Sequence, residues 1–295
     1  MALDRKIAYI NLSTGEIKTA PIPVEVRRKF LGGRGLDAYL LYNHAPEGCD
    51  PLGPDNLLIF APGVITGTTV SGQGRNGVAA KSPLTGGLAS AEAGGFWGSE
   101  LKRAGYDAIV VSGRAPAPCY LWIKDGEAEI RDAAQVWGTS VAACEEAIRT
   151  ELAEPLARTA SIGPAGENLV RYAAVVNDLS HFAGRSGLGA VMGSKHLKTI
   201  AVRSSRGNNL MQVADTAGVR QLAGWMRKNL DDVAGLTDTG TAYGVKTLNA
   251  GGGLPTLNFR AGQFEHAEAL NGETMRDTIL TGRGTCAACA VRCKR

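Results

Sequence analysis

Up to about residue 208, hydrophobic and polar residues alternate in short runs that predict β-strands. Residues 6–20 read KIAYINLSTGEIKTA, and the alternation on either side of the central Ser-Thr-Gly predicts a β-hairpin. Residues 119–131 repeat this pattern across Asp125-Gly126, so we expect a second hairpin there. The apolar run at residues 57–61 predicts a short buried strand.

Helical spacing of apolar residues separates these strands. A short helix is expected from Pro23 to about Leu31, followed by a break at residues 32–35 (GGRG) and a second helix over residues 36–45. Thr139 is the expected N-cap of a third helix that ends near residue 152. These helices are short, as expected for elements that cover a sheet.

Beyond residue 208 the pattern becomes helical. Residues 216–233, 243–250 and 272–281 have apolar positions at helical spacing. We therefore predict an α+β fold, with a sheet-rich domain over residues 1–208 and the beginning of an α-helical domain over residues 209–295.

Residues 71–113 form a glycine-rich stretch that contains a single arginine before its helix. Clustered glycines indicate positive φ angles or close backbone approach, and the expected helix near Phe96 would add backbone N–H groups suited to an anion. Arg75 could hold a phosphate with two hydrogen bonds. Glycine spacing alone leaves a phosphate-binding loop and a plain turn as alternatives.

A second glycine-rich passage covers residues 161–205 and resembles a distant copy of the first. Gly98-Ser99 precedes a closing strand in the first passage, and Gly193-Ser194 does so in the second. A duplication predicts two sheet-rich halves related by a pseudo-twofold axis, with two anion-binding loops for a ligand that has phosphates at both ends. Chance similarity of short turns is the alternative. Arg34 is either a further anion contact or the partner of an acidic residue.

Composition and charge exclude several classes of protein. The net charge of +4 comes from scattered Lys and Arg without aromatic interleaving, which argues against nucleic acid as a partner. No apolar run approaches the roughly 18 residues of a membrane span, and the N-terminal MALDRK lacks the apolar core of a signal peptide. We therefore expect a cytoplasmic protein.

Three of the six cysteines lie close together. Cys286, Cys289 and Cys293 provide three ligands for a metal centre, whereas zinc and a [4Fe–4S] cluster each take four. Structural zinc sites more often use two CxxC pairs, so the spacing favours iron–sulfur over zinc. The fourth ligand is one of the isolated cysteines, Cys49, Cys119 or Cys144, or lies outside these residues.

Several longer motifs resemble the tungsten-containing aldehyde:ferredoxin oxidoreductase family over nearly the whole chain. In chain order they are INLSTG (10–15), KSPLTG (81–86), ELK with AGYD (100–107), IGPAGEN (162–168) and the terminal cysteine trio. The resemblance implies a tungsten or molybdenum bis-pterin cofactor, a Mg²⁺ ion that bridges the pterin phosphates, and a [4Fe–4S] cluster. It also implies oxidation of an aldehyde with water to a carboxylic acid, with electrons passed to ferredoxin.

The resemblance also assigns roles by position. The residues implied to contact the pterins are Arg75, Gly94, Gly95, His181, Ala183, Gly184 and Arg185. Backbone carbonyls of Glu92 and Phe182 are implied to bind Mg²⁺, and Cys286, Cys289 and Cys293 to bind the cluster. At three of these positions the family pattern has another residue: asparagine for Glu92, arginine for His181 and alanine for Phe182.

The family's catalytic residues and fourth cluster cysteine are expected in a C-terminal half that these residues do not include, so the sequence is interpreted as a truncated product or as one piece of a split enzyme. The chain would then expose apolar residues such as Leu222, Trp225 and Met226. Alternatives are a non-catalytic cofactor-binding fragment, a family member that reduces acids or aromatic thioesters, and a zinc-stabilised binding protein. Besides ferredoxin, either a second copy of the chain or a separate C-terminal half is expected as a protein partner.

Overall fold

The computed structural model describes residues 5–205, 211 and 213–295. They form two compact units, of which the first comprises Met1–Thr68 and Gln73–Ala214 and the second Thr69–Gly72 and Asp215–Arg295. The domain boundary predicted at residues 208/209 lies outside the described residues.

The first unit contains two six-stranded mixed sheets. The strands of the first sheet, in spatial order, are β2 (Glu16–Pro21), β1 (Lys6–Asn11), β6 (Ala108–Ser112), β3 (Leu58–Pro62), β4 (Asn76–Lys81) and β5 (Leu88–Ala93). The strands of the second, in the corresponding order, are β8 (Glu127–Asp132), β7 (Cys119–Lys124), β12 (Leu197–Arg203), β9 (Arg158–Ser161), β10 (Val175–Asn177) and β11 (His181–Ala183).

The two sheets have the same topology. Each begins with an antiparallel hairpin, β1–β2 or β7–β8, whose first strand pairs in parallel with the last strand of its half, β6 or β12. All other neighbouring strands are antiparallel. The chain therefore builds one architecture twice, which supports the predicted duplication.

Strand alternation separates the apolar side chains into three clusters. Along β1, Ala8 and Ile10 join a core that both sheets share, whereas Ile7 faces a second cluster on the outer side of the first sheet. A third cluster, which includes Cys144, covers the outer side of the second sheet. Buried strands of this kind are fully apolar, and all five residues of β3 are buried.

Helices cover these faces. The helices of the first unit are α1 (Val24–Phe30), α2 (Gly33–His44), α3 (Trp97–Arg103), α4 (Val141–Glu151), α5 (Pro164–Glu167) and α6 (Leu188–Ser194). α1 and α2 pack on the outer side of the first sheet, and α4 packs on that of the second. α3 and α6 occupy equivalent places, each between the edge strand and the closing strand of its half.

Two local predictions need correction. Residues 33–35 do not interrupt the helices but form the first turn of α2, and the break lies at Leu31 and Gly32 instead. The side-chain cap of α4 is Ser140, whose hydroxyl accepts a 3.2 Å hydrogen bond from the Ala143 N–H, whereas the Thr139 hydroxyl donates to the Val136 carbonyl.

The second unit is built from short helices. They are α7 (Thr216–Lys228), α8 (Ala234–Thr239), α9 (Val245–Ala250), α10 (Ala267–Leu270) and α11 (Gly272–Thr278). Leu222 and Trp225 are exposed as predicted, whereas Met226 is half-buried. Among the described residues, every helix is too short or too polar to cross a lipid bilayer.

Candidate functional site

The end of strand β5 and the turn after it contain three of the predicted site residues. Glu92 lies opposite Gly77 of β4, and Gly94 and Gly95 form the turn that leads into α3. Gly95 has a φ of +94°, which a side chain would oppose. A Cβ at this position would lie 2.7 Å from Asp178 Oδ2 and 3.1 Å from His181 Nδ1. The absence of a side chain at Gly95 therefore lets the second half approach this turn.

Asp178 binds the backbone at the start of α3. Its Oδ2 accepts hydrogen bonds from the N–H groups of Phe96, at 2.7 Å, and Trp97, at 3.0 Å. Burial raises the pKa of Asp178, against the opposing effect of these N–H groups and of Arg158. The amides that the sequence suggested for an external anion thus bind a carboxylate of the second half.

Two buried asparagines connect the halves beside this turn. Asn177 donates from Nδ2 to Asn76 Oδ1 at 2.8 Å and to the Gly94 carbonyl at 3.3 Å. Both side chains are fully buried. The asparagines lie on β4 and β10, which are equivalent strands of the two sheets. Because buried polar groups need hydrogen-bond partners, this pair fixes the position at which the two halves pack against each other.

Arg34 and Asp37 of α2 lie near Glu92. Arg34 Nε is 3.4 Å from Glu92 Oε1, so the ion-pair alternative holds for Arg34. Asp37 is fully buried and packs against Gly77, and neither carboxyl oxygen has a hydrogen-bond partner among the described residues. Burial, together with the charge of Glu92, raises the pKa of Asp37 well above its ordinary value although Arg34 opposes this. The neutral form of Asp37 is therefore favoured more than that of an exposed aspartate.

The predicted residues of the second half lie on β11 and the turn after it. His181 and Ala183 are buried and face Asn177 and Val175 across the strand pair, while Phe182 is half-exposed. Ser180 Oγ lies 3.2 Å from His181 Nδ1. Strands β5 and β11 contact each other, and each is the edge strand of its sheet. The structure thus brings the two glycine-rich passages together.

Two of the residues expected to contact the cofactor, Arg75 and Arg185, have exposed side chains. Unlike Arg34, they have no acidic partner among the described residues. The guanidinium groups of Arg75 and Arg185 form no ion pair or hydrogen bond with any residue that the structure describes. The backbone of Arg75 is held in place, because its carbonyl accepts a 2.9 Å hydrogen bond from the Thr66 hydroxyl. Gly184 is also exposed. Each half therefore contributes one arginine that is available to an anion.

The cysteine trio lies in the second unit, near the residues Thr69–Gly72 that belong to it. Cys286 and Cys289 are half-buried and Cys293 is exposed. Cys289 N–H donates to the Cys286 carbonyl at 3.2 Å, which closes the first turn of the motif. Within the described ranges, no three His, Cys, Asp or Glu side chains could hold a single metal ion.

The environment of Cys289 favours a thiolate. Burial raises the pKa of this thiol, but hydrogen bonds from the Ser71 hydroxyl and from the N–H groups of Arg292, Val291 and Gly72 outweigh that effect and lower it. A thiolate is the form of cysteine that binds metals.

The isolated cysteines differ from Cys289. Burial in the two apolar clusters raises the pKa of Cys119 to about 12 and that of Cys144 to about 11. Both thiols are buried in apolar clusters, which disfavours the thiolate in the absence of a metal. Cys49 is half-buried.

Comparison with protein families agrees with this architecture. Residues 7–204 match the family model described as the N-terminal domain of aldehyde ferredoxin oxidoreductase, and residues 219–295 match the model of domains 2 and 3. The chain belongs to the aldehyde ferredoxin oxidoreductase family.

Individual relatives support the same family. The chain is 46% identical, over 97% of its length, to the tungsten-containing aldehyde ferredoxin oxidoreductase of Thermococcus kodakarensis, and 45% identical over the same share to that of Pyrococcus furiosus. It covers 47% of each, so it spans about half the length of these curated relatives. An aliphatic sulfonate oxidoreductase subunit of Pyrococcus furiosus, described as WOR-like, is 34% identical over 82% of this chain and 41% of its own.

A solved structure shares the fold of this family member. The active-site complex BamBC of benzoyl coenzyme A reductase, in complex with 1,5-dienoyl-CoA, matches with a TM-score of 0.80 and 31% identity. The match covers 98% of this chain and 46% of that one. The α+β fold predicted from the sequence pattern is confirmed.

Four polar residues of this family member were not singled out in the sequence: Asp37, Asn76, Asn177 and Asp178. Asn177 and Asp178 directly follow the apolar run AAVV, and Asn76 directly follows Arg75. Polar residues at the end of a buried strand are a signal for such a site, but their partners lie about 100 residues away and cannot be paired from sequence.

Proposed function

We propose that this chain is the cofactor-binding portion of an oxidoreductase that converts an aldehyde and water into a carboxylic acid: RCHO + H2O → RCOOH + 2 H⁺ + 2 e⁻. Residues 1–208 would bind a tungsten or molybdenum bis-pterin, and residues 209–295 would begin a helical domain that carries a [4Fe–4S] cluster. When bound, the metal pterin supplies the two-electron chemistry, and the protein positions it and sets its electrostatics.

The observation that carries this proposal is the pair of exposed arginines, one from each half, beside edge strands that meet. Arg75 and Arg185 form no ion pair with any described residue. A guanidinium binds phosphate through two parallel hydrogen bonds. A ligand with two phosphate ends fits a site in which a duplicated fold supplies one cation from each copy.

Edge strands support the proposed Mg²⁺ site. Glu92 lies on β5 and Phe182 on β11, and each strand lacks a sheet neighbour on one side. Strands β5 and β11 contact each other, and Mg²⁺ prefers oxygen ligands, which backbone carbonyls supply. Because backbone oxygens would bind the ion, the replacement of asparagine by glutamate and of alanine by phenylalanine is compatible with the site.

Three acidic side chains near the proposed phosphate positions are compensated. Glu92 pairs with Arg34, Asp178 accepts two backbone N–H groups, and burial raises the pKa of Asp37 and so favours its neutral form. The turn at Gly94 and Gly95 consequently carries less negative charge than its sequence suggests. We propose that these two glycines, with His181, Ala183 and Gly184, form the pterin contacts between the arginines.

Cys286, Cys289 and Cys293 are proposed as three ligands of the [4Fe–4S] cluster. A cubane places each cysteine on a different iron, whereas zinc needs its ligands around a single ion. The described residues contain no three-residue group for a single ion, and the donors around Cys289 favour a thiolate. The fourth ligand is proposed to lie in the half of the relatives that this chain does not match.

Ferredoxin is the proposed electron acceptor, as the names of the relatives indicate, and the cytoplasm the proposed location. The remaining half of the enzyme, in the same protein or in a separate subunit, would supply the substrate pocket. A homodimer remains a further proposal.

Elemental analysis of anaerobically purified protein from a tungstate-supplied host tests the cofactor assignment. We expect tungsten or molybdenum near one atom per chain and iron near four, together with pterin fluorescence after denaturation and oxidation. Zinc without tungsten, molybdenum or pterin would contradict the proposal and favour the zinc-stabilised binding protein.

Arginine variants test the site itself. Arg75→Ala and Arg185→Ala should each lower the pterin content severalfold, because each removes a bidentate phosphate contact, whereas the thermal stability of the protein should change little. Arg28→Ala is the matched control, since Arg28 is an exposed arginine of α1 on another element. An equal loss of pterin in the control would contradict the assignment.

The likeness to benzoyl coenzyme A reductase favours one second candidate, a reductive reaction on an aromatic thioester. Aldehyde-dependent reduction of an oxidised viologen would support the first reaction. Thioester-dependent oxidation of reduced viologen, without aldehyde oxidation, would support the second. A protein that binds the cofactor and shows neither reaction would be a non-catalytic cofactor-binding portion.

A further inference from the structure

Ser71 is buried in the second unit and is directed at one of the cysteines. Its side chain is 7% exposed, and its Oγ lies 3.7 Å from Cys289 Sγ. The same Oγ accepts a 2.9 Å hydrogen bond from the Ala290 N–H. Because this N–H occupies a lone pair of the hydroxyl oxygen, the hydroxyl proton is available to the cysteine sulfur. Ser71 therefore donates to Cys289.

The neighbouring residue strengthens this arrangement. Gly72, which follows Ser71, adopts a φ of +81° and so fixes the direction of the backbone beside it. Ser71 is thus a side-chain donor to Cys289 from a segment more than 200 residues away along the chain.

We propose that Ser71 is a positioning residue that raises the reduction potential of the iron–sulfur cluster bound by Cys289, an inference that rests on the cluster proposed above. The reduced cluster has one more electron than the oxidised cluster, and part of that charge lies on the cysteine sulfurs. A hydroxyl donor stabilises the more negative state to a greater degree, so it favours reduction.

A redox titration of the anaerobically purified protein, followed by the electron paramagnetic resonance of the reduced cluster, tests the inference. Ser71→Ala should shift the midpoint potential to a more negative value. At a fixed solution potential the ratio of reduced to oxidised cluster should fall about tenfold, which corresponds to about 59 mV for one electron. Ser71→Thr retains the hydroxyl and should restore most of the wild-type potential.

Thr285→Val is the matched control. The Thr285 hydroxyl lies beside the same cysteines but donates to the carbonyls of Cys286, at 3.0 Å, and Cys289, at 2.9 Å, rather than to a sulfur. Its removal should shift the potential much less than Ser71→Ala does. Equal shifts in the two variants would overturn the inference, because they would show a general effect of losing a hydroxyl near the motif.

Two outcomes separate the inference from the proposed function. Wild-type protein without iron and without the resonance signal would overturn the proposed cluster and, with it, the role of Ser71. A cluster that forms in all variants at one unchanged potential would overturn the role of Ser71 alone. Loss of iron from Ser71→Ala, but not from Thr285→Val, would show that Ser71 stabilises the fold of the cysteine motif rather than raising the reduction potential of the cluster. That result would also overturn the inference.

Discussion

At the scale of single residues, the site is defined by polar side chains that are buried. Asn76, Asn177 and Asp37 are fully buried around the turn that contains Gly94 and Gly95. Asn177 Nδ2 donates to Asn76 Oδ1, whereas Asn177 Oδ1 and both carboxyl oxygens of Asp37 have no hydrogen-bond partner among the residues described. Burial raises the pKa of a carboxyl group of this kind, because charging it away from water and without a hydrogen-bond partner costs free energy.

Asp37 predicts a specific dependence of stability on pH. Its pKa is raised in the folded protein, chiefly by burial, so the folded state holds a proton that the unfolded state releases above about pH 4. The contribution of Asp37 to stability is therefore complete below its unfolded pKa and is lost as the pH rises toward the folded pKa, with a limiting slope of about 1.4 kcal/mol per pH unit. Asp37→Asn should remove this loss.

Urea unfolding at several pH values between 4.5 and 7.5 measures this effect. The free energy of unfolding of Asp37→Asn should exceed that of the wild type by an amount that grows with pH. Glu47→Gln is the control, since Glu47 is exposed. Parallel pH curves for wild type and Asp37→Asn would show that Asp37 is not protonated in the folded protein.

At the scale of secondary-structure elements, the sequence pattern predicted where strands and helices lie but not which distant segments contact each other. The hairpins β1–β2 and β7–β8 and the helix after Phe96 are where alternation and glycine spacing place them, because strand and turn preferences act locally. The start of α3 was also expected to provide N–H groups to an external anion. Asp178, from the second half, takes two of these groups instead. That pairing depends on contacts between distant segments.

Asp178→Ala should destabilise the protein by about 1–3 kcal/mol. The change leaves the N–H groups of Phe96 and Trp97 without an acceptor, and it removes a link between the two halves. Asp178→Asn keeps an oxygen acceptor and should cost clearly less. Denaturant unfolding at pH 7 measures both.

Ser140→Ala is the comparison for this prediction. Ser140 caps α4 through a contact within the same helix end, and its loss should cost about 1 kcal/mol. Asp178→Ala should lower the free energy of unfolding by more than Ser140→Ala does. If it does not, or if Asp178→Asn lowers the free energy of unfolding as much as Asp178→Ala, the hydrogen bonds between the two halves contribute little to stability.

At the scale of the described molecule, one topology occurs twice within the first unit. The two sheets share a core in which Phe60 of the first sheet is fully buried in the same cluster as Leu121 and Ile200 of the second. Phe60 and Trp97 pack with ring centroids 5.4 Å apart, and the Trp97 indole donates to the Ile200 carbonyl at 2.9 Å. The halves therefore have no separate cores and should unfold together.

Phe60→Leu tests this cooperativity. The substitution leaves unfilled volume in the shared core and should cost roughly 1–2 kcal/mol. Hydrogen exchange should accelerate in both sheets by a similar factor, although the substitution lies in the first. Tyr42→Ala removes a side chain that is 86% exposed and should change neither the free energy of unfolding nor the rates of hydrogen exchange. Faster exchange confined to the first sheet would indicate that the halves unfold independently.

The sequence by itself determined the strands, the helices, the family and the positions of the glycines, arginines and cysteines, because these depend on local spacing and on motifs such as KSPLTG. Tertiary structure decided which groups meet. Asn76 with Asn177, Asp178 with the start of α3, and Ser71 with Cys289 join segments between 80 and 220 residues apart. It also decided that the pKa of Asp37 is raised, because burial, which no local pattern shows, sets the free-energy cost of a charge.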